Sequence, residues 1–269
     1  MISGIHTTKP RTQRYVDAFV KGAGGNKIHQ FRDLRNLPEG ELVMYGILAG
    51  SGEIYQRCVS ENKNFYYMDH SYFANAHDNP HWLRVTKNKH CQNEITTTKT
   101  DRYEKYWKRD LKPWNKGAKK ILVLPPTHAI AHFFKVENWL DNTLKILKEN
   151  TDRDIDIRQK PYNPNVITDH VGATVKVDIP TNHQGPIDWT DYYACVMYHS
   201  GTAIQSLTNG VPVFCDPNVC PAAPISEHDF TKIESPKYED RIALFSSLAY
   251  NMWTMEEMAN GTAWSMING

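Results

Sequence analysis

The sequence has little that would place it in or across a membrane. Among its 269 residues, no apolar run approaches the ~18–20 residues that a membrane-spanning helix needs. The first ten residues lack the continuous apolar stretch of a secretory signal. Charged residues make up 23% of the chain and hydrophobic residues 40%, as in ordinary globular proteins. We therefore expect a cytoplasmic protein without membrane insertion.

Cysteine is also scarce, since the chain has five, widely spaced and without a Cys-x-x-Cys pair. Cys195 and Cys215 fall in apolar runs that we expect to be buried strands, where a free thiol behaves as a small hydrophobic group. This usage favours a reducing compartment. His77 and His81 have the spacing of helical metal ligands. Because Pro80 between them interrupts a helix, we expect no metal site.

The net charge is close to zero, at +1 with histidine neutral, which does not indicate a nucleic-acid-binding protein. Residues 84–120 differ, because they carry 12 basic and four acidic residues, a local charge of +8. Aromatic residues interleave with these cations, a pattern that suits a polyanion with bases available for stacking. The alternative is a solvated linker helix whose aromatic residues lie in a core, and the sequence alone favours this alternative. The candidate DNA-binding residues are Lys105, Trp107, Lys108 and Arg109.

The first half of the chain has the pattern of a small Rossmann-like domain. We predict a helix at 11–20, a strand at 41–48, a helix at 53–61 and a strand at 64–68. The glycine turn between the first strand and the second helix makes this a βαβ unit. The second strand ends at Asp69 and His70.

The second half repeats the alternation of strands and helices. We predict strands at 119–126, 154–158, 192–198 and 211–216, and helices at 138–148, 203–209 and 238–252. This order indicates a parallel sheet with helices on its faces. The fold class is therefore α/β, with two Rossmann-like domains at 1–112 and 118–237, and with the C-terminal helix of 238–269 packing back on the first.

One segment, Tyr198 to Pro217, carries a recognisable motif. A buried strand leads into the turn Ser200-Gly201-Thr202, and a helix follows that Gly210 ends. The turn thus lies at a helix N-terminus, where free backbone N–H groups and the helix dipole favour an anion. A turn whose Ser and Thr only cap the helix is the alternative.

Polar residues follow the other predicted strands of the second half at the same edge of the sheet. In folds of this kind ligands bind beyond the carboxyl ends of the strands. Side chains there can reach a diphosphate, and the cations among them can neutralise its charge. The residues at these ends are Thr127, His128, Arg158, Lys160 and His199, together with Asp216.

The segment around the turn resembles the donor-binding element of GT-B glycosyltransferases and of related capsule-polysaccharide transferases. In those families a Ser-Gly-Thr turn meets the diphosphate of a nucleotide sugar, and a run similar to Ser206–Val213 follows. Many GT-B enzymes have a glutamate on the next helix that holds the ribose, where this chain has Gln205. The resemblance implies a metal-independent hexosyltransferase-like enzyme without a cofactor, with a nucleotide-sugar substrate, expected to be a UDP-sugar, in a cleft between two domains.

The resemblance also implies a residue that removes the proton of the acceptor hydroxyl. Asp69 is the leading candidate for this catalytic base and His70 the second, although Asp69 as the cap of a turn is the alternative. Viral glucosyltransferases that modify 5-hydroxymethylpyrimidine DNA share the GT-B fold. With the basic segment, they suggest double-stranded DNA as the acceptor and, for a viral protein, the host cytoplasm as the location.

Three other functions remain open on the sequence. A saccharide or surface polymer is the rival acceptor. A sugar-nucleotide epimerase of the same fold would need several carboxylates for acid–base chemistry. A nucleotide- or nucleic-acid-binding module without catalytic activity would bind a ligand and not turn it over.

Overall fold

The computed structural model describes residues 1–73, 82–159 and 186–269. They form two compact units. The described part of unit 1 comprises 1–73, 82–92 and 250–269, and that of unit 2 comprises 93–159 and 186–249. Lys160, His77 and His81 lie outside the described residues. The domain limits drawn from the sequence, with a boundary between 112 and 118, stay a prediction.

Strands and helices alternate along most of the described chain. The strands are β1 Ile2–His6, β2 Lys27–Gln30, β3 Glu41–Tyr45, β4 Phe65–His70, β5 Trp82–Lys87, β6 Lys120–Leu124, β7 Ile155–Ile157, β8 Tyr192–Met197, β9 Val213–Cys215 and β10 Met252–Thr254. The helices are α1 Pro10–Gly22, α2 Ser51–Ser60, α3 Asp101–Tyr106, α4 His128–Phe134, α5 Trp139–Asn150, α6 Thr202–Thr208, α7 Arg241–Ala249, α8 Met255–Ala259 and α9 Thr262–Asn268. Short 3-10 helices lie at Phe31–Asp33, Trp189–Asp191, Ala223–Ile225 and Phe230–Lys232.

Unit 1 is built on a mixed sheet with the order β10-β5-β4-β3-β1-β2. The strands β2, β1, β3 and β4 are parallel, whereas β5 and β10 are antiparallel to their neighbours. The βαβ unit predicted from the sequence is confirmed, because β3 and β4 are parallel neighbours joined through α2. The strands β1, β2, β5 and β10 were not predicted.

Helix α1 covers one face of this sheet. Its residues Tyr15, Val16, Phe19 and Val20 are buried, as the helical spacing of 11–20 predicts. They pack in one cluster with Trp253 and other residues of the C-terminal segment. Residues 250–269 therefore contribute directly to the core of unit 1.

The C-terminal end of α1 lies very close to α8. A Cβ added to Gly22 would lie 1.8 Å from the backbone oxygen of Met258, so the backbone would have to move to accept any side chain. We expect Gly22→Ala to lower the free energy of unfolding by about 1–3 kcal/mol, as overpacking does, measured by urea unfolding. The matched control is Gly117→Ala, where nothing lies within 4 Å of the added Cβ, and a change of at most about 1 kcal/mol is expected. Equal effects of the two variants would contradict the close approach.

Unit 2 is built on a parallel sheet with the order β7-β6-β8-β9. All four strands were predicted, and their apolar runs explain why: Ile121, Val123 and Val196 of the central strands are fully buried. The helices predicted at 138–148 and 203–209 correspond to α5 and α6. The fold class is thus α/β, with a parallel sheet in unit 2 and a mixed sheet in unit 1 whose strands β2, β1, β3 and β4 are parallel.

The C-terminal helix predicted at 238–252 is shorter in the structure. It is α7, which ends at Ala249, and Met252–Thr254 forms β10 instead. Trp253 is 1% exposed in this strand. Thr254 then caps α8 in a capping box with Glu257. A buried pairing with β5 thus overrides the helical spacing of the sequence.

All five cysteines are buried and unbridged, and Cys195 and Cys215 lie inside β8 and β9 as predicted. Across the described ranges, the structure contains no helix of the length and apolar character that crossing a bilayer requires.

Candidate functional site

The carboxyl edge of the unit 2 sheet collects the residues that the sequence placed at strand ends. The central strands β6 and β8 are neighbours, so the segments after them, Pro125–His128 and Tyr198–Thr202, lie at the same edge. Each segment leads into the first turn of a helix, α4 or α6. The backbone N–H of Arg158 donates to the Val123 carbonyl at 3.0 Å, which places Arg158 beside the end of β6.

The turn after β8 is partly a capping turn. The hydroxyl of Ser200 accepts a hydrogen bond from the Thr202 N–H at 3.1 Å. This is the local capping contact that the sequence analysis gave as the alternative to anion binding. Within the residues that the structure describes, the backbone N–H groups of Ser200 and Gly201 donate to no acceptor. Two adjacent N–H donors at a helix start can bind an oxygen of an anion.

Nothing in the folding of this turn demands a glycine at position 201. Gly201 has φ −62° and ψ −21°, a conformation open to every residue. It is exposed, and a Cβ added there would have nothing within 4 Å. The absence of a side chain therefore leaves the turn open to a ligand that approaches the backbone.

His128 begins α4 at the end of β6. Its Nε2 is buried and, among the described residues, has no hydrogen-bond partner. A buried polar atom without a partner costs about 1–3 kcal/mol, so an unpaired imidazole nitrogen here is expected to meet a ligand or a water. Thr127, the residue before it, makes no side-chain cap of α4. Both residues thus have polar atoms available at the edge of the sheet.

The remaining predicted donor-site residues have varied surroundings. His199 and Thr202 are half-buried in the turn, whereas Gln205 is exposed on α6. Asp216 follows β9, and its carboxylate accepts a hydrogen bond from the Asn218 N–H at 2.8 Å. Asp216 is therefore engaged in a local turn at the end of the sheet.

In unit 1, Asp69 lies in a partly buried hydrogen-bond network at the end of β4. Its Oδ2 accepts hydrogen bonds from the Tyr67 hydroxyl at 2.9 Å and from Arg84 at 3.0 Å, and its Oδ1 accepts one from the His70 N–H at 2.8 Å. Arg84 is 6% exposed and lies directly opposite Asp69 on β5. Although burial opposes it, the Arg84 guanidinium holds the pKa of the Asp69 carboxyl well below its usual range. A carboxylate of such low proton affinity is a weak general base.

His70, the second candidate base, is exposed at the end of the same strand. Its Nδ1 lies 3.0 Å from the Tyr45 hydroxyl of β3. Burial raises the pKa of Tyr45 far above its usual value, so this hydroxyl stays protonated and orients the imidazole ring. His70 is thus positioned by a neighbouring strand.

The structure adds His6, which the sequence did not indicate. His6 is the last residue of β1, and its Nε2 lies 2.7 Å from Oδ1 of Asp17 on α1. The β1–β3 register pairs Gly4 with Val43, so His6 lies level with Tyr45. Sequence reasoning could have found His6 only by recognising the short strand β1 that ends at it, before the helix that begins at Pro10.

The basic segment 84–120 offers fewer stacking faces than the sequence predicted. Trp107 is 7% and Tyr103 is 2% exposed, so both rings belong to the core. The Arg241 guanidinium lies 4.3 Å from the centre of the Trp114 ring. Tyr106 remains 43% exposed. The predicted cations Lys105, Lys108 and Arg109 are exposed.

Comparison with known proteins finds similarity in structure but no match in sequence. No family model matches the sequence, and no curated protein matches it. Two solved chains from Thermosulfurimonas dismutans are similar in structure. One is a KpsC beta Kdo 2,7 transferase, with a TM-score of 0.48, 12% identity and coverage of 99% of this chain and 98% of that chain. The other is a KpsC beta Kdo 2,4 transferase, with a TM-score of 0.46, 11% identity and coverage of 92% and 89%. A likeness of this degree assigns no activity to the chain.

Proposed function

We propose that this chain is a glycosyltransferase that moves a sugar from a nucleotide-sugar donor to a hydroxyl group. The observation that carries the proposal is the carboxyl edge of the unit 2 sheet. Two neighbouring strands, β6 and β8, end there. Three polar groups lie just beyond them: the buried Nε2 of His128 and the backbone N–H groups of Ser200 and Gly201. Among the described residues, none of these three groups has a hydrogen-bond partner. A diphosphate supplies the acceptor oxygens that these groups lack.

The chemistry follows from the charge of the leaving group. When the bond between the anomeric carbon and the diphosphate oxygen breaks, negative charge grows on the nucleoside diphosphate. The dipole of the α6 turn and the Arg158 guanidinium stabilise that charge, and Lys160 is proposed to add a second cation. The side-chain amide of Gln205 is proposed to hold a ribose hydroxyl. We propose a UDP-sugar as the donor.

A saccharide is the acceptor class that we favour over DNA. Base recognition by extrusion relies on exposed aromatic faces, and Tyr103 and Trp107 of the basic segment are buried. The exposed cations Lys105, Lys108 and Arg109 suit a polyanionic saccharide as well as DNA. The five unbridged cysteines support a reducing, cytoplasmic location. The two-domain organisation, with limits at 1–112 and 118–237, is part of this proposal.

The proposal is tested by incubating the protein with UDP-glucose, UDP-galactose and UDP-N-acetylglucosamine, each with a mixture of oligosaccharides or with hydroxymethylated duplex DNA. Mass spectrometry of the products should show a mass gain of one sugar on an oligosaccharide, and UDP alone should raise Tm. At a UDP concentration of 100 times Kd the stabilisation is about 2.7 kcal/mol.

Each other outcome identifies a different function. Sugar on the DNA nucleosides, with a rate that falls steeply with salt, would identify DNA as the acceptor. A new sugar formed without any acceptor would indicate an epimerase. A rise in Tm without turnover would indicate a binding module, and neither a rise in Tm nor any product would contradict the proposal.

A further inference from the structure

We propose that a pocket of unit 2, between the first two turns of α5 and the 3-10 helix at Phe230–Lys232, binds a neutral saccharide. The pocket has a volume of about 390 Å³, within the ~300–1,000 Å³ of small-molecule sites. Its lining includes Val136, Asn138, Trp139, Asn142, Thr143 and Phe230. The described residues that line it are separate from those at the strand ends, so this inference goes beyond the proposed function and stands without it.

Two aromatic rings form a corner of the pocket. The rings of Trp139 and Phe230 lie with 6.2 Å between their centres and 85° between their planes. Both side chains pack against the core of unit 2 and are half-buried, so the fold holds the rings in place while part of their surface stays in contact with solvent. A fixed aromatic surface of this kind suits the apolar C–H face of a sugar ring.

Two side-chain amides at the rim of the pocket are available to a ligand. Asn138 stands at the N-cap of α5, where an asparagine commonly caps the helix, yet its side chain makes no capping hydrogen bond. Asn142, one turn later, is exposed, and within the described residues its amide has no hydrogen-bond partner. An amide both donates and accepts hydrogen bonds, as a sugar hydroxyl does. The two amides therefore match the polar edge of a sugar ring.

Thr143 gives the observation that points most directly to a ligand. This residue lines the pocket and is 2% exposed. Among the described residues its hydroxyl has no hydrogen-bond partner, and its oxygen is not one of the fully enclosed polar atoms that lack a partner. The oxygen therefore keeps a small accessible surface, which opens to the pocket. Because buried hydroxyls are normally hydrogen-bonded, a ligand or a water in the pocket is expected to complete this one.

The charge and the shape of the pocket favour a neutral sugar over an anion or a nucleobase. Lys135 and Glu137 both line the pocket, so the charges at its rim are balanced and an anion gains little there. A base held between two aromatic side chains stacks on parallel faces, whereas the rings of Trp139 and Phe230 are almost perpendicular. A pyranose chair has apolar faces and polar edges, which fit a corner of this kind with amides at its rim.

The test uses the intact chain without any nucleotide sugar and follows the indole N–H signals of its seven tryptophans in ¹H–¹⁵N NMR spectra. The variant Trp139→Phe identifies the signal of Trp139. The probes are maltose, cellobiose, lactose and N,N′-diacetylchitobiose, with uridine as the nucleoside for comparison. We expect at least one disaccharide to shift the Trp139 signal in a saturable manner, which gives its Kd, and uridine to leave the signal unchanged.

Variants place the disaccharide in the pocket. Asn142→Ala and Thr143→Val should each raise Kd by about 3–10-fold, the effect of losing one hydrogen bond. Asn142 is exposed, so its variant is expected to fold as the wild type does. The matched control is Asn150→Ala at the end of the same helix, where the side chain donates to the Ile146 carbonyl at 2.8 Å. It should leave Kd unchanged, as should Trp264→Phe, a half-buried tryptophan of unit 1.

Three outcomes would overturn the inference. The first is a Trp139 signal that none of the four disaccharides shifts. The second is a Kd that stays the same in both Asn142→Ala and Thr143→Val, which would place the sugar elsewhere. The third is a shift with uridine alone, which would assign the pocket to a nucleoside. The proposed transfer is measured separately, by product formation and by the rise in Tm with UDP, so the failure of either proposal leaves the other standing.

Discussion

Replacing Asp69 by asparagine is expected to lower the free energy of unfolding by about 3–5 kcal/mol, the usual cost of removing one partner of a buried ion pair. The reason is Arg84, whose side chain is 7% exposed and whose charge is balanced by Asp69 at 3.0 Å. In Asp69→Asn the guanidinium stays buried without a counter-charge. Urea unfolding monitored by circular dichroism measures the loss.

The control for this prediction removes both charges. In the double variant Asp69→Asn/Arg84→Met no uncompensated charge is buried, so part of the lost stability should return. The single variant Arg84→Met completes the comparison. If the loss of stability in the double variant equals the sum of the losses in the two single variants, the two side chains are not coupled. A loss under about 1 kcal/mol in Asp69→Asn would show that the pair behaves as a surface salt bridge.

The pH dependence of stability follows from the same pair. The pKa of Asp69 is lowered in the folded protein, mainly by Arg84 against the effect of burial. Its contribution to stability is therefore complete above the unfolded value of about 3.9 and is lost as the pH falls towards the lower folded value. The difference in unfolding free energy between wild type and Asp69→Asn should stay constant from pH 7 to about pH 5 and shrink below about pH 4.

The sequence predicted the parts of the fold whose burial repeats at regular intervals. The segment 192–198 is apolar throughout, and the structure has β8 there. The segment 11–20 is amphipathic, and the structure has α1 there. The strand β1 was missed because Ser3 and Gly4 interrupt its apolar pattern. A Cβ at Gly4 would lie 2.5 Å from Val16, so this glycine permits close packing of α1, a reason that no local pattern contains.

The candidate functional residues likewise include some that the sequence could predict and some that it could not. The residues at the ends of the unit 2 strands were predictable because parallel strands place their carboxyl ends at one edge. The pair of His6 and Asp17 was not, since the two residues are 11 positions apart and meet only through the packing of α1 on β1. Likewise, Arg84 was counted with an exposed basic segment, and its burial depends on a partner across the sheet.

Placing a valine at position 201 is expected to weaken UDP binding at least ~30-fold, about 2 kcal/mol, while leaving the fold intact. The Cβ of the new residue has open space around it, because nothing lies within 4 Å of a Cβ at Gly201, and the backbone angles there suit any residue. In the complex it would occupy the space through which a diphosphate reaches the N–H groups of Ser200 and Gly201. The rise in Tm with UDP concentration measures the change in Kd.

The matched control is Gly117→Val, since Gly117 is an exposed glycine of the same unit with nothing within 4 Å of an added Cβ. It should bind UDP as the wild type does. Thr202→Val keeps the shape of the side chain and removes one hydroxyl, so a smaller loss of about 0.5–1.5 kcal/mol is expected. If Gly201→Val binds UDP with unchanged affinity, the diphosphate does not lie on this turn. The unbonded N–H groups would then have to meet water or another anion, because a backbone donor at a helix start does not remain unsatisfied.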